Sequence, residues 1–240
     1  MHIRALAVAA LAGALSFAVP AQAQPYLFAG PSGVDSSNQL IVNGTGIPVA
    51  FSGWYQLFPP DTYIFSGTGS SNYLVGTDFG ATYNNFFTFD IQELFRSLNG
   101  GQVTSLVLQL QTFGTDVPTG ATYALFDVST PIMTLLDDNG FGPSLQPIFE
   151  DLASGTEYGS RNYTNADANT VQQITLNQSA IADLNFALSE VTDGRTQFAI
   201  GGTLLPLREE VTAVPEPASL ALFGAGLAGL MAARRRRRAT

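Results

Sequence analysis

The residues that could do chemistry in the central part of this chain are almost all carboxylates. Residues 24–213 contain no histidine, cysteine or lysine, and the single histidine of the chain is His2. This excludes serine–histidine and cysteine–histidine nucleophiles, the usual zinc ligand sets and a lysine Schiff base. What remains is carboxylate catalysis, calcium held by oxygen ligands, or binding without a reaction.

Paired carboxylates raise one catalytic hypothesis. Hydrolysis of a glycosidic bond needs two carboxyl groups, about 5 Å apart in retaining enzymes and about 6.5–9.5 Å apart in inverting ones. Glu150, Asp151 and Glu157 are candidates only because they are carboxylates, and sequence spacing selects no pair among the 18 of residues 24–213. We therefore assign no catalytic residue and expect no enzymatic activity. A carboxylate-dependent glycoside hydrolase is the alternative.

One segment carries oxygen donors at alternate positions, as a calcium loop does. These donors are Asn165, Asp167 and Asn169. The glycine expected next in an EF-hand is Thr170, and Leu176 stands where a bidentate glutamate is needed. An EF-hand is therefore excluded, and a looser calcium site is the one metal hypothesis. No other cofactor is expected.

Short strands separated by Gly, Pro, Asn and Asp must position these side chains. The clearest strand covers 103–113, where Leu106, Leu108 and Leu110 alternate with polar or smaller residues and should face the core. The Asn43-Gly44 pair predicts a hairpin turn between two short strands. Strands are expected at 39–51, divided by that turn, and at 54–58, 62–65, 85–91, 122–128, 157–163, 171–176 and 197–205.

A few short helices complete the pattern. Asn177 is expected to cap a helix over 178–189, and Ser129 or Thr130 to cap a short helix over 131–136. Long helices do not alternate with the strands, which disfavours a parallel α/β fold. The sequence therefore predicts a mainly β domain, a single β-sandwich of jelly-roll type. Further short helices are expected at 92–98 and 144–153.

Aromatic side chains suggest a binding role. Residues 24–213 hold 24 aromatics. Five of them lie in polar, turn-rich stretches where a ring could stack on a sugar, although core positions are the favoured interpretation. These five are Tyr26, Trp54, Tyr55, Tyr73 and Tyr83.

The central region is strongly acidic. Residues 24–213 contain four arginines against 18 carboxylates, a net charge of −14, whereas the whole chain carries −9. Such a surface repels nucleic acid and anionic lipid, so no nucleic-acid partner is expected. Without cysteine, the stability of the domain must come from its hydrophobic core.

The N-terminal segment has the pattern of a secretory signal peptide. Arg4 precedes an apolar stretch, and Ala21 and Ala23 form a small-x-small cleavage site before Gln24. An uncleaved membrane anchor is disfavoured because Pro20 interrupts the apolar stretch. The expected organisation is a signal peptide at 1–23, one β-sandwich domain at 24–213 and a sorting segment at 214–240.

The sorting segment combines three features in order. A Pro-Glu-Pro motif precedes the uncharged run 218–233, and a block of arginines follows it. Sixteen residues make a helix of about 24 Å, shorter than the roughly 30 Å hydrocarbon core, which suits a temporary anchor more than a permanent transmembrane helix. The arginines resist transfer across the membrane. The motif is Val214, Pro215, Glu216 and Pro217, and the block is Arg234, Arg235, Arg236, Arg237 and Arg238.

Three glycines of the uncharged run also fit a nucleotide-binding fingerprint. They are Gly224, Gly226 and Gly229, spaced as G-x-G-x-x-G. That fingerprint needs a preceding strand within a βαβ unit, whereas Pro215 and Pro217 precede it here. The glycines instead allow another helix to approach closely.

The order of these three features resembles the PEP-CTERM sorting signal of Gram-negative bacteria. The resemblance implies export through the inner membrane, transient anchoring, and processing near the motif by a membrane protease called exosortase. The cell surface or the extracellular matrix is then the expected destination, often in species that secrete exopolysaccharide. Segments 85–90, 123–130 and 198–202 also resemble uncharacterised members of this group, which brings no activity with it.

Three functions from different classes follow. The first is an exported, surface-associated structural or matrix protein that binds extracellular polysaccharide. The second is the carboxylate-dependent glycoside hydrolase. The third is ice binding, which the sorting signal suggests only by association. The threonines are scattered, whereas flat ice-binding faces carry them at regular spacing.

Overall fold

The computed structural model describes residues 26–29, 37–70, 73–78, 80–117, 119–137 and 140–207. The predicted signal peptide at 1–23 and the predicted sorting segment at 214–240 lie outside these residues. Within the described residues the protein is mainly β with a few short helices, which confirms the predicted fold class.

The strands are β1 Tyr26–Ala29, β2 Gln39–Val42, β3 Thr45–Phe58, β4 Thr62–Ser70, β5 Tyr73–Asp78, β6 Ala81–Asp90, β7 Leu106–Thr112, β8 Gly114–Asp116, β9 Ala121–Phe126, β10 Glu157–Tyr163, β11 Thr170–Thr175 and β12 Gln197–Pro206. The α-helices are α1 Gln92–Leu98, α2 Ile132–Leu135, α3 Gln146–Asp151 and α4 Gln178–Ser189, and short 3-10 turns lie at Pro143–Leu145, Asn165–Asp167 and Val191–Asp193.

The strands form one nearly closed antiparallel sheet. Its main path runs β10-β9-β12-β6-β3-β2-β7-β11, with β4 beside β3 and with β5, β1 and β8 continuing from β6. The two ends of the path meet near Asn177, whose backbone N–H donates to Tyr158 O at 2.7 Å. The sheet therefore encloses its own core.

Strand β3 carries the chain from one part of the sheet to the other. Its first residues pair with β2, and Val49 to Leu57 pair with β6. The sequence predicts a break here, between the second of two short strands within 39–51 and a strand at 54–58, but the structure has a single strand of 14 residues. Register shifts near Phe51 and Gly53 absorb the expected break, as β-bulges do.

Two clusters of buried side chains lie on opposite faces of β6. The main core includes Phe87 and Phe89 together with the predicted leucine face of β7, Leu106, Leu108 and Leu110. The smaller cluster includes Phe86, which packs with residues of α2 and α3. Strand β6 is buried on both faces, and its polar residues Asn84, Asn85 and Thr88 are buried with its phenylalanines.

Local signals fix several element boundaries. Asn43 and Gly44 both have positive φ, 49° and 86°, and form the predicted two-residue hairpin between β2 and β3. Asn177 caps α4 as predicted, with its side chain accepting hydrogen bonds from Ser179 N and Ala180 N.

Strands β1, β5 and β8 were not predicted. Among the described residues, no helix is both long enough and apolar enough to span a membrane.

Candidate functional site

A cleft of about 640 Å³ opens where β9 parts from β12. The last residue of β9, Phe126, pairs with Gly201, although β12 already begins at Gln197. The residues of β12 before Gly201 therefore have β6 on one side and no strand partner on the other, within the described part of the chain. The segment that leaves β9 forms one wall of the cleft instead.

The open side of β12 presents backbone groups to the cleft. Thr196 O accepts a hydrogen bond from Ile91 N, at 2.9 Å, on the β6 side. Because the backbone groups of successive strand residues point to opposite neighbours, those of Gln197 and Ala199 face away from β6. Both residues line the cleft. The start of β12 thus offers N–H donors and C=O acceptors in addition to side chains.

Asp151 holds the first wall in place from outside the cleft. Its carboxylate accepts hydrogen bonds from Ser129 N and Oγ, at 3.1 and 2.5 Å, and from Thr130 N and Oγ1, at 2.9 and 2.7 Å. Burial alone would raise the pKa of Asp151, but these hydrogen bonds outweigh burial and lower the pKa below its usual value. The prediction that Ser129 or Thr130 caps α2 is wrong, because both side chains bond this charged acceptor and α2 begins after Pro131.

Asp127 belongs to the same wall. Its Oδ1 accepts from Thr156 N at 2.6 Å, and its own backbone N–H donates to Thr156 O at 3.1 Å. This exchange fixes the carboxylate at the point where the chain leaves β9. None of the hydrogen bonds found among the described residues involves Asp127 Oδ2.

The opposite wall comes from α4, which places Asp183 and Phe186 one turn apart on one face. Tyr158 Oη donates to Asp183 Oδ2 at 2.8 Å. The ring of Phe186 is 58% exposed although Ala187 and Leu188 beside it are buried. An aromatic face therefore stands next to a carboxylate at the mouth of the cleft.

The charges at the base of the cleft act together on Tyr158. Burial raises the pKa of Tyr158 most, and the hydrogen bond and charge of Asp183 and the charge of Asp127 raise it further. Arg195 acts in the opposite direction and is itself paired with Glu190, with Nη1 and Oε2 3.0 Å apart. Tyr158 thus keeps its proton and donates it in a hydrogen bond to Asp183.

These groups suit binding of a polar ligand with an apolar face. Carboxylate acceptors, a guanidinium donor, the Gln197 amide and the start of β12 line the same cleft as an exposed aromatic ring. Pockets that bind small polar molecules combine apolar walls with a few directed polar groups in this way. A sugar residue, with a hydroxyl edge and C–H faces, has that chemistry.

The carboxylates considered from sequence do not form this site. None of Glu150, Asp151 and Glu157 lines the cleft. Asp151 supports it from behind, and Glu150 Oε1 accepts from Gln146 Nε2 at 2.7 Å at the solvent-exposed surface of α3. The two carboxylates that do line the cleft, Asp127 and Asp183, are 56 residues apart in sequence. Only the fold brings them together.

The predicted calcium segment forms a turn between β10 and β11. Asn165 Oδ1 accepts from Val117 N at 2.7 Å. Asp167 pairs with Arg161 at 3.1 Å and accepts from Thr164 N at 2.8 Å. Two of the three oxygen donors are thus already used within the protein, and the described residues contain no group of three or more acidic, histidine or cysteine residues suited to a metal ion. Calcium binding by Asn165, Asp167 and Asn169 stays a prediction.

The aromatic residues singled out from sequence are mostly interior. Tyr55, Tyr73 and Tyr83 are buried and cannot stack on a ligand, which agrees with the favoured core interpretation. Tyr26 and Trp54 are half-buried and do not line the cleft. Buried Tyr158 and Phe198 also line the cleft, but its exposed aromatic, Phe186, was missed. The available signal was that Phe186 lies off the predicted apolar face of α4. That face is formed by Ile181, Leu184, Ala187 and Leu188.

Comparison with known families accounts for the C-terminal segment. Residues 213–238 match the family described as PEP-CTERM protein-sorting motif. The match confirms the resemblance and indicates export, recognition by an exosortase and transient membrane anchoring before processing. It does not extend into the described β domain. Comparisons with curated proteins and with solved structures find no match.

Proposed function

We propose that this protein, which carries a PEP-CTERM protein-sorting motif, is a surface-associated structural or matrix protein that binds extracellular polysaccharide in the cleft beside β12. The motif supports export and processing by an exosortase, which delivers the β domain outside the inner membrane. The cleft supplies the binding site. After processing, the domain acts at the cell surface or in the surrounding matrix.

The exposed ring of Phe186 beside Asp183 is the observation that carries this proposal. A sugar ring can lay its C–H face on an aromatic ring while its hydroxyl groups reach neighbouring acceptors and donors. Asp183 and Arg195 provide such an acceptor and donor within the same cleft. The backbone of Gln197 and Ala199, which has no strand partner on the cleft side within the described part of the chain, extends the polar surface along β12.

We further propose that the cleft binds and does not catalyse. Asp127 is held by Thr156, and Asp183 is held by the buried hydroxyl of Tyr158. Both carboxylates are thus fixed in the walls of the cleft by protein donors, which suits two acceptors that position a ligand.

The decisive experiment compares two exposed phenylalanines. The exported protein, recovered after processing, is tested for binding to the exopolysaccharide of the producing cells and to a panel of glycans. We expect Phe186→Ala to weaken binding about tenfold, because about 1.4 kcal/mol of ring contact is lost. The matched control is Phe141→Ala, which removes a ring that is 73% exposed and does not line the cleft. It should bind like the unchanged protein.

Two results would contradict the proposal. Retention on neither the native polysaccharide nor any glycan would remove polysaccharide binding altogether. Release of reducing ends from a bound glycan, lost in Asp183→Asn, would show that the cleft is the active site of a glycoside hydrolase.

A further inference from the structure

We infer that the polysaccharide bound in this cleft carries free amino groups. The ligand is then a polymer of amino sugars from which some N-acetyl groups are missing, and an acidic polymer is excluded. This inference rests on the proposed function and names the chemical class of its ligand. Charge, hydrogen-bonding capacity and the aromatic wall each support it.

The cleft has more negative than positive charge available to a ligand. Asp127 and Asp183 line it, against the single guanidinium of Arg195. That guanidinium already pairs with Glu190 at 3.0 Å, so part of its charge is balanced within the protein. A cationic group entering the cleft therefore meets a net attraction, and a carboxylate or sulfate on a ligand meets repulsion.

The two carboxylates also have hydrogen-bonding capacity to spare. Each oxygen of an ionised carboxylate can accept two hydrogen bonds. Asp183 uses Oδ2 for Tyr158 Oη, and Asp127 uses Oδ1 for Thr156 N. Both carboxylates lie close enough to Tyr158 to act on it electrostatically. An ammonium group has three donors, and its charge-assisted bonds to such oxygens are stronger than those of a neutral hydroxyl.

The aromatic wall is compatible with a cation as well as with a sugar face. Phe186 is 58% exposed and lies one turn of α4 from Asp183. The face of an aromatic ring attracts an ammonium group placed over it. A protonated amino sugar can thus stack its ring on Phe186 while its ammonium group hydrogen-bonds to Asp183.

The charge of the whole domain adds a long-range preference. Residues 24–213 carry a net charge of −14. A polycation is drawn to such a surface and a polyanion is repelled, and both effects weaken as salt is added. The surface and the cleft therefore select for the same class of polymer.

The test compares oligomers that differ only in their amino groups, and adds one acidic polymer. The exported protein is titrated with chitosan oligomers, with the same oligomers after complete N-acetylation, and with an alginate as the acidic probe. We expect the free-amine oligomers to bind at least about tenfold more tightly than the acetylated ones at low salt, and the alginate not to bind. Asp183→Asn should remove most of that preference, because the amide carries no negative charge.

Two further variants separate the cleft from the rest of the surface. Asp183→Glu keeps the charge and should keep the preference. Asp61→Asn removes one charge from an exposed turn residue outside the cleft and should leave the preference unchanged. Thermal unfolding of each variant checks that the fold is intact. This check matters for Asp183, because it bonds Tyr158.

The outcomes distinguish this inference from the function on which it rests. Equal binding of acetylated and free-amine oligomers, with both weakened by Phe186→Ala, would overturn the inference and leave the proposed function standing. Equal loss of preference in Asp183→Asn and Asp61→Asn would overturn the assignment to the cleft, because general surface charge would then explain it. Binding of no glycan of any kind would overturn both.

Discussion

Asp151 shapes the cleft although it does not line it. Four hydrogen-bond donors from two consecutive residues, Ser129 and Thr130, converge on its carboxylate. The backbone where the chain leaves β9 is thereby tied to the end of α3. A carboxylate used in this way is a structural element, and its protonation should loosen the wall.

Substitution of Asp151 should lower the free energy of unfolding by an amount that depends on pH. Its lowered pKa means that the charged form is favoured in the folded state. The stabilisation is therefore fully present above the ordinary aspartate pKa of about 3.9 and is lost as the pH falls through the lowered value. We expect Asp151→Ala to reduce the free energy of unfolding by about 2 kcal/mol at neutral pH, with the difference shrinking on acidification. Urea unfolding over a pH series measures it.

The control for Asp151 is an aspartate in an exposed turn. Asp61→Ala should change the free energy of unfolding by less than about 0.5 kcal/mol at neutral pH. A penalty for Asp151→Ala that stays constant down to strongly acid pH would show that packing, and not charge, accounts for the effect.

At the scale of elements, Asn177 joins the cap of α4 to the closure of the sheet. Its Oδ1 accepts from Ser179 N and Ala180 N, and its Nδ2 donates to Glu157 O at 2.7 Å. Its backbone N–H reaches Tyr158 O. One side chain therefore starts the helix that carries Asp183 and fastens the strand that carries Tyr158.

Two substitutions should separate these roles of Asn177. Asn177→Ala removes both the cap and the bond to β10, and we expect a loss of about 2 kcal/mol. Asn177→Asp keeps a good cap but removes the donor, so we expect about half that loss. Chemical denaturation gives both values. If the two variants were equally destabilised, the cap would contribute nothing and the bond to Glu157 would account for the effect.

Elements with local signals were predictable, and the cleft was not. The Asn177 cap and the helix after it, the Asn43-Gly44 turn and the leucine alternation of β7 each depend on neighbouring residues. The cleft depends on the register between β9 and β12, where Phe126 meets Gly201. No residue type in either strand predicts that register. For this reason Asp127 and Asp183 could not be paired from sequence, and Phe186 could be noticed only as an apolar residue off the buried face of α4.

For the whole molecule, buried tyrosines set an upper limit to the pH range of stability. Burial is the first cause that raises the pKa of each of five rings. Four of their hydroxyls donate to protein acceptors, and the hydroxyl of Tyr163 has no partner among the described residues. In the folded state these phenols keep their protons. The five are Tyr55, Tyr73, Tyr123, Tyr158 and Tyr163.

Stability should therefore fall in alkali. Above the unfolded tyrosine pKa of about 10 the unfolded chain releases protons that the folded protein retains, so rising pH favours unfolding. Each such tyrosine should contribute a loss of about 1.4 kcal/mol per pH unit. We expect tyrosinate absorbance from these rings to increase together with loss of the fold. Ionisation of all eight tyrosines at a pH of about 10, with the fold retained, would contradict the assignment of these rings to the core.

The destination of the protein could be inferred from contiguous residues of the sequence, whereas its activity could not. The sorting motif lies within one short segment, and the family match covers that segment. The proposed binding site draws on α2, α4, β10, β12 and the exit from β9, which are spread over more than 70 residues. The absence of His, Cys and Lys from residues 24–213 nonetheless limits the chemistry that such a site can perform.

The closure of the sheet bears on how this protein behaves when many copies are crowded together. A free strand edge is a template on which a second copy can add a strand, and rows of such contacts lead to fibrous aggregates. Here the two ends of the main strand path, β10 and β11, are brought together by the hydrogen bonds of Asn177. Copies that add strands to one another would therefore have to do so away from this closure, at β4 or β8, each of which pairs with a single strand among the described residues.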